Sequence, residues 1–131
     1  MKSIFSEGDT KQFVRVVRVE DTATFESGNV HAVYATFAIA RDAEWCGRLF
    51  VIDMKEDFEE GIGTFAHINH LSPALVGESV LFEATIEEIK GNSIICSFTA
   101  KTASRLIAEG KTGQKILPKE KIEKLFGSLK V

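Results

Sequence analysis

The sequence predicts an α+β domain in which an antiparallel sheet wraps around one long central helix. Residues 32–52 (AVYATFAIARDAEWCGRLFVI) are apolar on nearly every face over their first three turns, which is typical of a buried helix. The segments that follow alternate apolar and polar side chains with a period of two, as half-exposed strands do. A sheet of this size can bury a whole apolar helix only by curving around it, so both patterns belong to one structure.

Composition predicts one domain over residues 1–131. The chain is 44% hydrophobic with 2 cysteines, and a chain of this length can bury a core without disulfide bonds. Cys46 and Cys96 have no metal-ligand spacing, which is typical of buried thiols in a reducing compartment. No apolar run approaches the roughly 20 residues that span a bilayer. We therefore expect a cytoplasmic protein with no membrane partner.

Charge is distributed unevenly along the chain. The net charge is -3, yet residues 111–131 contain 6 lysines and 2 glutamates, whereas residues 1–110 contain 10 basic and 17 acidic side chains. An acidic body lacks the broad basic face that nucleic acids require, so we expect no nucleic-acid partner. The lysines of the tail are explained either as the solvated face of a helix or as a contact with a small phosphorylated ligand.

The first elements follow from composition and turn signals. A strand is predicted over residues 11–20, where β-branched side chains are dense, and residues 22–25 can continue it. Residues 26–29 end the pattern, since their Gly-Asn pair is typical of a turn. The long helix over residues 32–52 comes next, and the acidic residues 53–60 suit its exit loop.

A second group of strands follows the helix. Residues 61–71 are predicted as a strand and residues 71–77 as the connection that turns the chain. Residues 78–102 are predicted as a β-hairpin that reverses at residues 90–92. The apolar side chains of its first strand share one face: Val80, Phe82, Ala84 and Ile86.

The chain is predicted to close with a strand and a short helix. The strand spans residues 105–117, where Gly110 and Gly113 indicate a bulge or a close approach of another backbone. Pro118 suits the first position of the final helix. The apolar side chains of that helix follow the spacing i, i+3, i+4, i+7: Ile122, Leu125, Phe126 and Leu129.

Glu44 and His70 are the candidate groups for acid–base chemistry. A carboxylate on a mostly apolar helix and an imidazole at a strand end can transfer protons or activate water toward an acyl carbon. Each residue also has a structural explanation. Arg41 and Arg48 lie at the helical spacings i-3 and i+4 from Glu44, which suits a surface ion pair. A histidine at a strand end can cap a backbone group.

Thr36 is a third candidate because of its position on the helix. It lies eight residues before Glu44, which is about 80° around a helix, so the two side chains can border one cleft. It is also close to the helix N-terminus, where free N–H groups can polarise a carbonyl such as that of a thioester. The structural explanation is ordinary packing or a hydrogen bond to the preceding turn.

The sequence lacks the motifs of several other chemistries. His67 and His70 are three residues apart on a predicted strand and point to opposite faces, and His31 is the remaining histidine. With no CxxC motif, we predict no metal site. There is also no GxSxG elbow and no glycine-rich phosphate loop after a strand.

Four stretches carry a family resemblance. They are the buried helix, HINHLSPALVGESVLFEATI, KGNSIICSFTA and LIAEGKTGQKIL. Over residues 10–117 the chain resembles the hotdog-fold acyl-CoA thioesterases, specifically the fluoroacetyl-CoA thioesterase-like group. The resemblance implies a hotdog fold, with an antiparallel sheet wrapped around a long central helix, and an acyl-CoA thioesterase activity.

The resemblance also implies site residues. In that group a Thr near the start of the central helix, a Glu eight residues later and a His before a Pro-containing turn form the catalytic triad, and Thr36, Glu44 and His70 match. Gly63 matches the glycine that lines the acyl pocket. The fluoroacetate-specialised enzyme has a phenylalanine-rich lid before the helix, but Val30 stands near that position here. A short-chain or small metabolite acyl-CoA is therefore the implied substrate.

The implied partners are the acyl-CoA substrate and a second copy of the chain, in a homodimer or a tetramer, with no cofactor. Lys111 is a candidate contact for the phosphates of coenzyme A. Glu44 stays open as general base or nucleophile. The alternatives are a non-catalytic acyl-CoA-binding hotdog protein, an enoyl-thioester hydratase or dehydratase, whose Asp and His pattern is not found here, and a purely structural protein.

Overall fold

The structure is a computed structural model that describes residues 1–130, so the last residue of the expected domain lies outside the described part. In chain order the elements are β1 (Thr10–Val16), β2 (Thr22–Phe25), β3 (Gly28–Tyr34), α1 (Thr36–Met54), β4 (Glu59–His70), β5 (Ser79–Lys90), β6 (Ser93–Lys101), β7 (Leu106–Pro118) and α2 (Lys119–Gly127). A 3-10 turn, Val19–Asp21, precedes β2.

A five-stranded antiparallel sheet packs around α1. The strand order is β1-β5-β6-β7-β4, so β1 and β4 form the two edges. The alternation predicted for the first strand of the hairpin is confirmed, because the four apolar side chains of one face are buried: Val80, Phe82, Ala84 and Ile86. The helix contributes further core residues, including Ile39, Phe50 and Val51, each 0% exposed. The predicted fold class is confirmed.

The start of the central helix differs from the prediction. The apolar run from residue 32 is strand β3 as far as Tyr34, and α1 begins at Thr36. The hairpin β2–β3 turns at Gly28, whose φ of 109° favours glycine. The Tyr34 amide then donates to Ala74 O and the Ala35 amide to Asp21 O, both at 2.8 Å. These long-range bonds occupy the backbone that the sequence pattern assigned to a helix.

Two strand boundaries also move. The first strand ends at Val16 rather than at residue 20, because the chain enters the 3-10 turn. α1 continues to Met54 and β4 begins at Glu59, so the exit loop predicted over residues 53–60 is reduced to residues 55–58. The close approaches predicted for the last strand occur: Gly110 lies against the His67 carbonyl, and the Phe65 ring covers Gly113. The register shift itself lies in β4, between Gly63 and Phe65.

The C-terminal helix buries less of its apolar stripe than the spacing predicts. Pro118 ends β7 and caps α2 instead of occupying its first turn. Ile122 is 9% exposed, but Leu125 is 52% and Phe126 58% exposed. In the described part of the chain, no helix combines the length and apolar character needed to cross a membrane.

Candidate active site

Thr36 and His70 meet where α1 begins and β4 ends. Thr36 Oγ1 lies 2.8 Å from His70 Nδ1. His70 Nε2 is buried and has no hydrogen-bond partner within the described residues. The structural explanations for these residues were a bond from Thr36 to the preceding turn and a bond from His70 to a backbone group. Instead, the two side chains bond to each other. A hydroxyl bonded to an imidazole can exchange a proton with it.

Free backbone amides adjoin this pair. The N-cap residue Ala35 has no side-chain capping bond, and the first turn of α1 contains no acidic residue. The first intrahelical bond runs from Ile39 N to Ala35 O at 3.0 Å. The amides of Thr36, Phe37 and Ala38 accordingly have no partner within the helix. Together with the helix dipole, they provide positive potential for a carbonyl oxygen that gains negative charge.

Glu44 lies on the exposed side of α1, directly over Gly63 of β4. A Cβ added at Gly63 would overlap Glu44 Oε1, so the carboxylate rests where a side chain would otherwise stand. The ion pairs considered for Glu44 are not formed. Arg41 pairs with Asp42 at 3.0 Å and Arg48 with Glu60 at 2.7 Å. Within residues 1–130 the Glu44 carboxylate has no ion pair or side-chain hydrogen bond.

The Thr36–His70 pair and the Glu44–Gly63 contact lie apart within this chain. Thr36 and Glu44 are eight residues apart on α1, about 12 Å along the helix axis. Gly63 and His70 are seven residues apart on β4, about 20 Å along the strand. The two groups therefore do not meet at one substrate atom within this chain. Both border β4, which pairs with β7 on one side only.

The other expected substrate contacts lie outside these groups. Val30 is in the β2–β3 hairpin and is 52% exposed. Lys111 lies on the outer face of the sheet, where its Nζ is 2.9 Å from Glu87 Oε2. His67 is paired with Lys111 across β4 and β7 and borders the same outer surface. The fold of the chain does not bring Lys111 to Thr36 or to Glu44.

A buried ionic cluster that no sequence pattern predicted lies beside the start of α1. Asp42 and Asp21 are 1% and 0% exposed. Burial alone would raise the pKa of Asp42, but its bonds to Arg15, Arg41 and Tyr34 outweigh burial and lower it. The sequence signal was Asp42, an acidic residue on a helix face that is otherwise apolar. Its partner Arg15 is distant in sequence, so the pattern did not show that this carboxylate is paired.

Candidate metal ligands do not gather in the described structure. Residues 1–130 contain no group of three or more His, Cys, Asp or Glu side chains that could hold a metal ion. Cys46 and Cys96 are both buried and free.

Comparisons with known proteins agree with this architecture. The sequence profile of a family described as FlK, fluoroacetyl-CoA-specific thioesterase, matches residues 17–120. A solved thioesterase superfamily member from Thermus thermophilus is 40% identical, with a TM-score of 0.89 over 92% of this chain and 90% of that chain. A variant of the fluoroacetyl-CoA-specific thioesterase FlK has 19% identity and a TM-score of 0.87, over 98% of this chain and 100% of that chain.

A more distant similarity is to a 1,4-dihydroxy-2-naphthoyl-CoA thioesterase from Synechocystis. It has 16% identity and a TM-score of 0.66, over 84% of this chain and 83% of that chain. The search of curated proteins finds no match.

Proposed function

The chain belongs to the fluoroacetyl-CoA-specific thioesterase family, a family of thioester hydrolases, and from this premise we propose that it hydrolyses a short-chain or small metabolite acyl-CoA. The products are the free acid and coenzyme A. The observation that carries the proposal is the 2.8 Å contact between Thr36 Oγ1 and His70 Nδ1 beside the free amides of α1. Because Val30 stands near the position of that group's phenylalanine-rich lid, we do not restrict the proposed substrate to the fluoroacetyl group.

The helix N-terminus would bind the thioester carbonyl. The oxygen accepts hydrogen bonds from the free amides at the start of α1, which become stronger as negative charge develops. Thr36 orients this carbonyl or the attacking water through its hydroxyl. His70 holds the transferred proton and delivers it to the sulfur as the carbon–sulfur bond breaks.

Glu44 is the proposed general base. Its carboxylate has no cationic partner in the described residues, so it is free to accept a proton from water. The water oxygen then bonds to the acyl carbon, and the proton passes to the leaving thiolate through His70. A covalent acyl–Glu44 intermediate is the alternative mechanism, in which water would attack that anhydride in a second step.

A complete site requires two subunits under this proposal. β4 has an unpaired edge, and its residues 63–67 are exposed. An antiparallel pairing of two β4 strands about a two-fold axis between Ala66 and His67 sets Gly63 opposite the partner subunit's His70. Glu44 of one subunit would then face the Thr36–His70 pair of the other. We propose a homodimer on this basis.

Acyl-CoA turnover by three matched variants tests the site. Acetyl-, medium-chain and aryl-CoA are assayed for released thiol with wild type, Thr36→Ala, Glu44→Gln and His70→Ala. We expect kcat/KM to fall about a hundredfold or more in each, and Thr36→Ser to retain much of the activity. Unchanged hydrolysis by Glu44→Gln and His70→Ala would refute the assignment. Binding of acyl-CoA with a raised Tm but no turnover would identify a binding protein instead.

Subunit mixing tests the shared site. Glu44→Gln and His70→Ala homodimers are each expected to be inactive, but a heterodimer of the two contains one intact site. Random reassortment after mild denaturation should restore about a quarter of the wild-type activity. A mixture that stays as inactive as its components would show that each subunit forms its own site.

We also propose a cytoplasmic location and a contact between Lys111 and the substrate. The buried free thiols of Cys46 and Cys96 are consistent with a reducing cytoplasm. Lys111 stays a proposed contact for the coenzyme A phosphates, reached only if another subunit brings the ligand to the outer face. Its replacement by Ala should raise KM for acyl-CoA without changing kcat, and an unchanged KM would remove it from the site.

A further inference from the structure

A buried ionic cluster surrounds the residues that lead into α1. Asp42 accepts hydrogen bonds from Arg15 Nε and Nη2 at 3.1 and 3.0 Å and from Arg41 Nε at 3.0 Å. The Tyr34 hydroxyl donates to the same carboxylate. Arg41 Nη2 also reaches Asp21 at 2.8 Å, so one guanidinium joins both buried carboxylates.

Each buried carboxylate of the cluster binds two guanidinium groups. Arg18 binds Asp21 through Nε at 2.8 Å and Nη2 at 2.9 Å, so two carboxylates meet three guanidinium groups. Buried ion pairs give little net stability relative to apolar packing, because desolvation offsets the attraction between the charges. They do require each donor to meet its acceptor, which selects one arrangement of the segments that carry them. Positioning is therefore the contribution that this cluster can make.

The cluster holds the two residues directly before Thr36. Tyr34 is 0% exposed, and its hydroxyl bonds to Asp42, which lies on the second turn of α1. The Ala35 amide donates to the main-chain oxygen of Asp21 at 2.8 Å. The segment that enters α1 is therefore hydrogen-bonded to the 3-10 turn through Ala35 and to α1 itself through Tyr34.

The same short segment also holds the loop that leaves His70. The Tyr34 amide donates to Ala74 O at 2.8 Å, and Val33 forms an antiparallel bridge with Leu75. Leu71, the residue after His70, donates its amide to Ile107 O at 2.8 Å. The backbones that carry Thr36 and His70 are therefore connected through Tyr34.

We infer that Tyr34 and Asp42 are positioning residues: their bond sets the entry of the chain into α1, so that the Thr36 hydroxyl meets His70 and the free amides face the substrate carbonyl. Neither residue contacts the reacting atoms. The inference rests on the proposed function of Thr36 and His70. It assigns a role to two buried polar groups that the proposed reaction steps do not use.

Tyr34→Phe tests the inference because it removes only the hydroxyl and keeps the buried ring. We expect kcat for acyl-CoA hydrolysis to fall about ten- to a hundredfold with KM nearly unchanged, since a small displacement of reacting groups affects the transition state most. In the Thr36→Ala background, Tyr34→Phe should lower kcat by a smaller factor than in wild type, because the hydroxyl that it positions is already absent and only the amides can still be displaced. Full additivity of the two changes would overturn the inference.

Amide hydrogen exchange supplies a readout that does not depend on activity. In Tyr34→Phe, protection of the Ala35 amide should fall while amides in the centre of β5 and β6 keep theirs. Ile116→Val, a core truncation away from the helix N-terminus, serves as the control and should change neither kcat nor Ala35 protection. Unchanged Ala35 protection in Tyr34→Phe would overturn the positioning role. Wild-type kcat in Thr36→Ala would instead refute the proposed function.

Discussion

The Glu44 carboxylate rests directly on the α-carbon of Gly63, so one added methyl group tests its role. In Gly63→Ala the new Cβ overlaps Glu44 Oε1. The carboxylate is the far end of a flexible side chain and can move aside, so we expect Tm to change little. The displaced base should lower kcat about tenfold or more, measured by thiol release from acyl-CoA.

Gly127→Ala is the matched control for that prediction, because a Cβ there meets nothing within 4 Å. It should leave both kcat and Tm at wild-type values. A wild-type kcat in Gly63→Ala would contradict a catalytic role for the carboxylate at this position.

The burial of the two cysteine thiols leads to a prediction about their reactivity. Burial raises the pKa of the Cys46 thiol to about 11 and that of Cys96 to about 12. At pH 8 the thiols of the native protein should therefore react with a thiol reagent only after local or global unfolding. In the folded state both sulfur atoms are buried, and both thiols stay protonated. Both thiols should react rapidly in denaturing urea. Rapid labelling of a native thiol would contradict the observed burial.

Each candidate site residue had a plausible structural explanation in the sequence, and the structure separates these explanations by showing where the partners go. Arg41 is at the right spacing to pair with Glu44, yet it pairs with Asp21 and Asp42 instead. Helical spacing shows which side chains can meet, but it does not show which of several acceptors a guanidinium will choose. That choice follows from burial, since unpaired buried carboxylates are costly.

Among the secondary structure elements, α2 offers a direct test of burial. Ile122→Ala removes a side chain that is 9% exposed, and Leu125→Ala one that is 52% exposed. We expect the first to lower the free energy of unfolding by about 2 kcal/mol and the second by about 0.5 kcal/mol or less. Urea denaturation measures both changes. An equal loss from Leu125→Ala, dependent on protein concentration, would show that another subunit buries this face.

The entry into α1 shows why the boundary of an element is harder to predict than its type. Tyr34 at the end of β3 and Ala35 before the helix are both buried, so burial does not mark the residue at which α1 begins. The boundary is set by hydrogen bonds to Asp21 and Ala74, which are remote along the chain. By contrast, the strands β5 and β6 were predictable because period-two alternation is a local property.

For the whole molecule, the buried carboxylates predict acid instability. Hydrogen bonds to Arg18 and Arg41 lower the pKa of Asp21, and the pKa of Asp42 is lowered despite its burial. Both unfolded-state values are near 3.8. The ionised forms are favoured in the folded state, so their stabilisation is complete above about pH 4 and is lost as pH falls through the lower folded-state values.

Thermal unfolding between pH 7 and pH 2 measures this effect, and we expect Tm to fall steeply below about pH 4. Asp42→Asn should be less stable at pH 7 and should show a shallower acid slope, because one linked group is missing. Asp57→Asn changes an exposed carboxylate without an ion pair in the described residues and should keep the wild-type slope. Equal slopes in all three proteins would contradict the linkage.

The periodicity of side chains was sufficient for the fold class, the order of most elements and the alternation of the sheet, because these features follow from interactions between near neighbours. The spacing of Thr36, Glu44 and His70 was likewise visible in the chain. The Thr36–His70 bond, the position of Glu44 over Gly63 and the separation of these two groups became evident only in three dimensions. They depend on how α1 crosses the edge strand β4. Packing between segments distant in sequence sets this crossing, so no local sequence pattern predicts it.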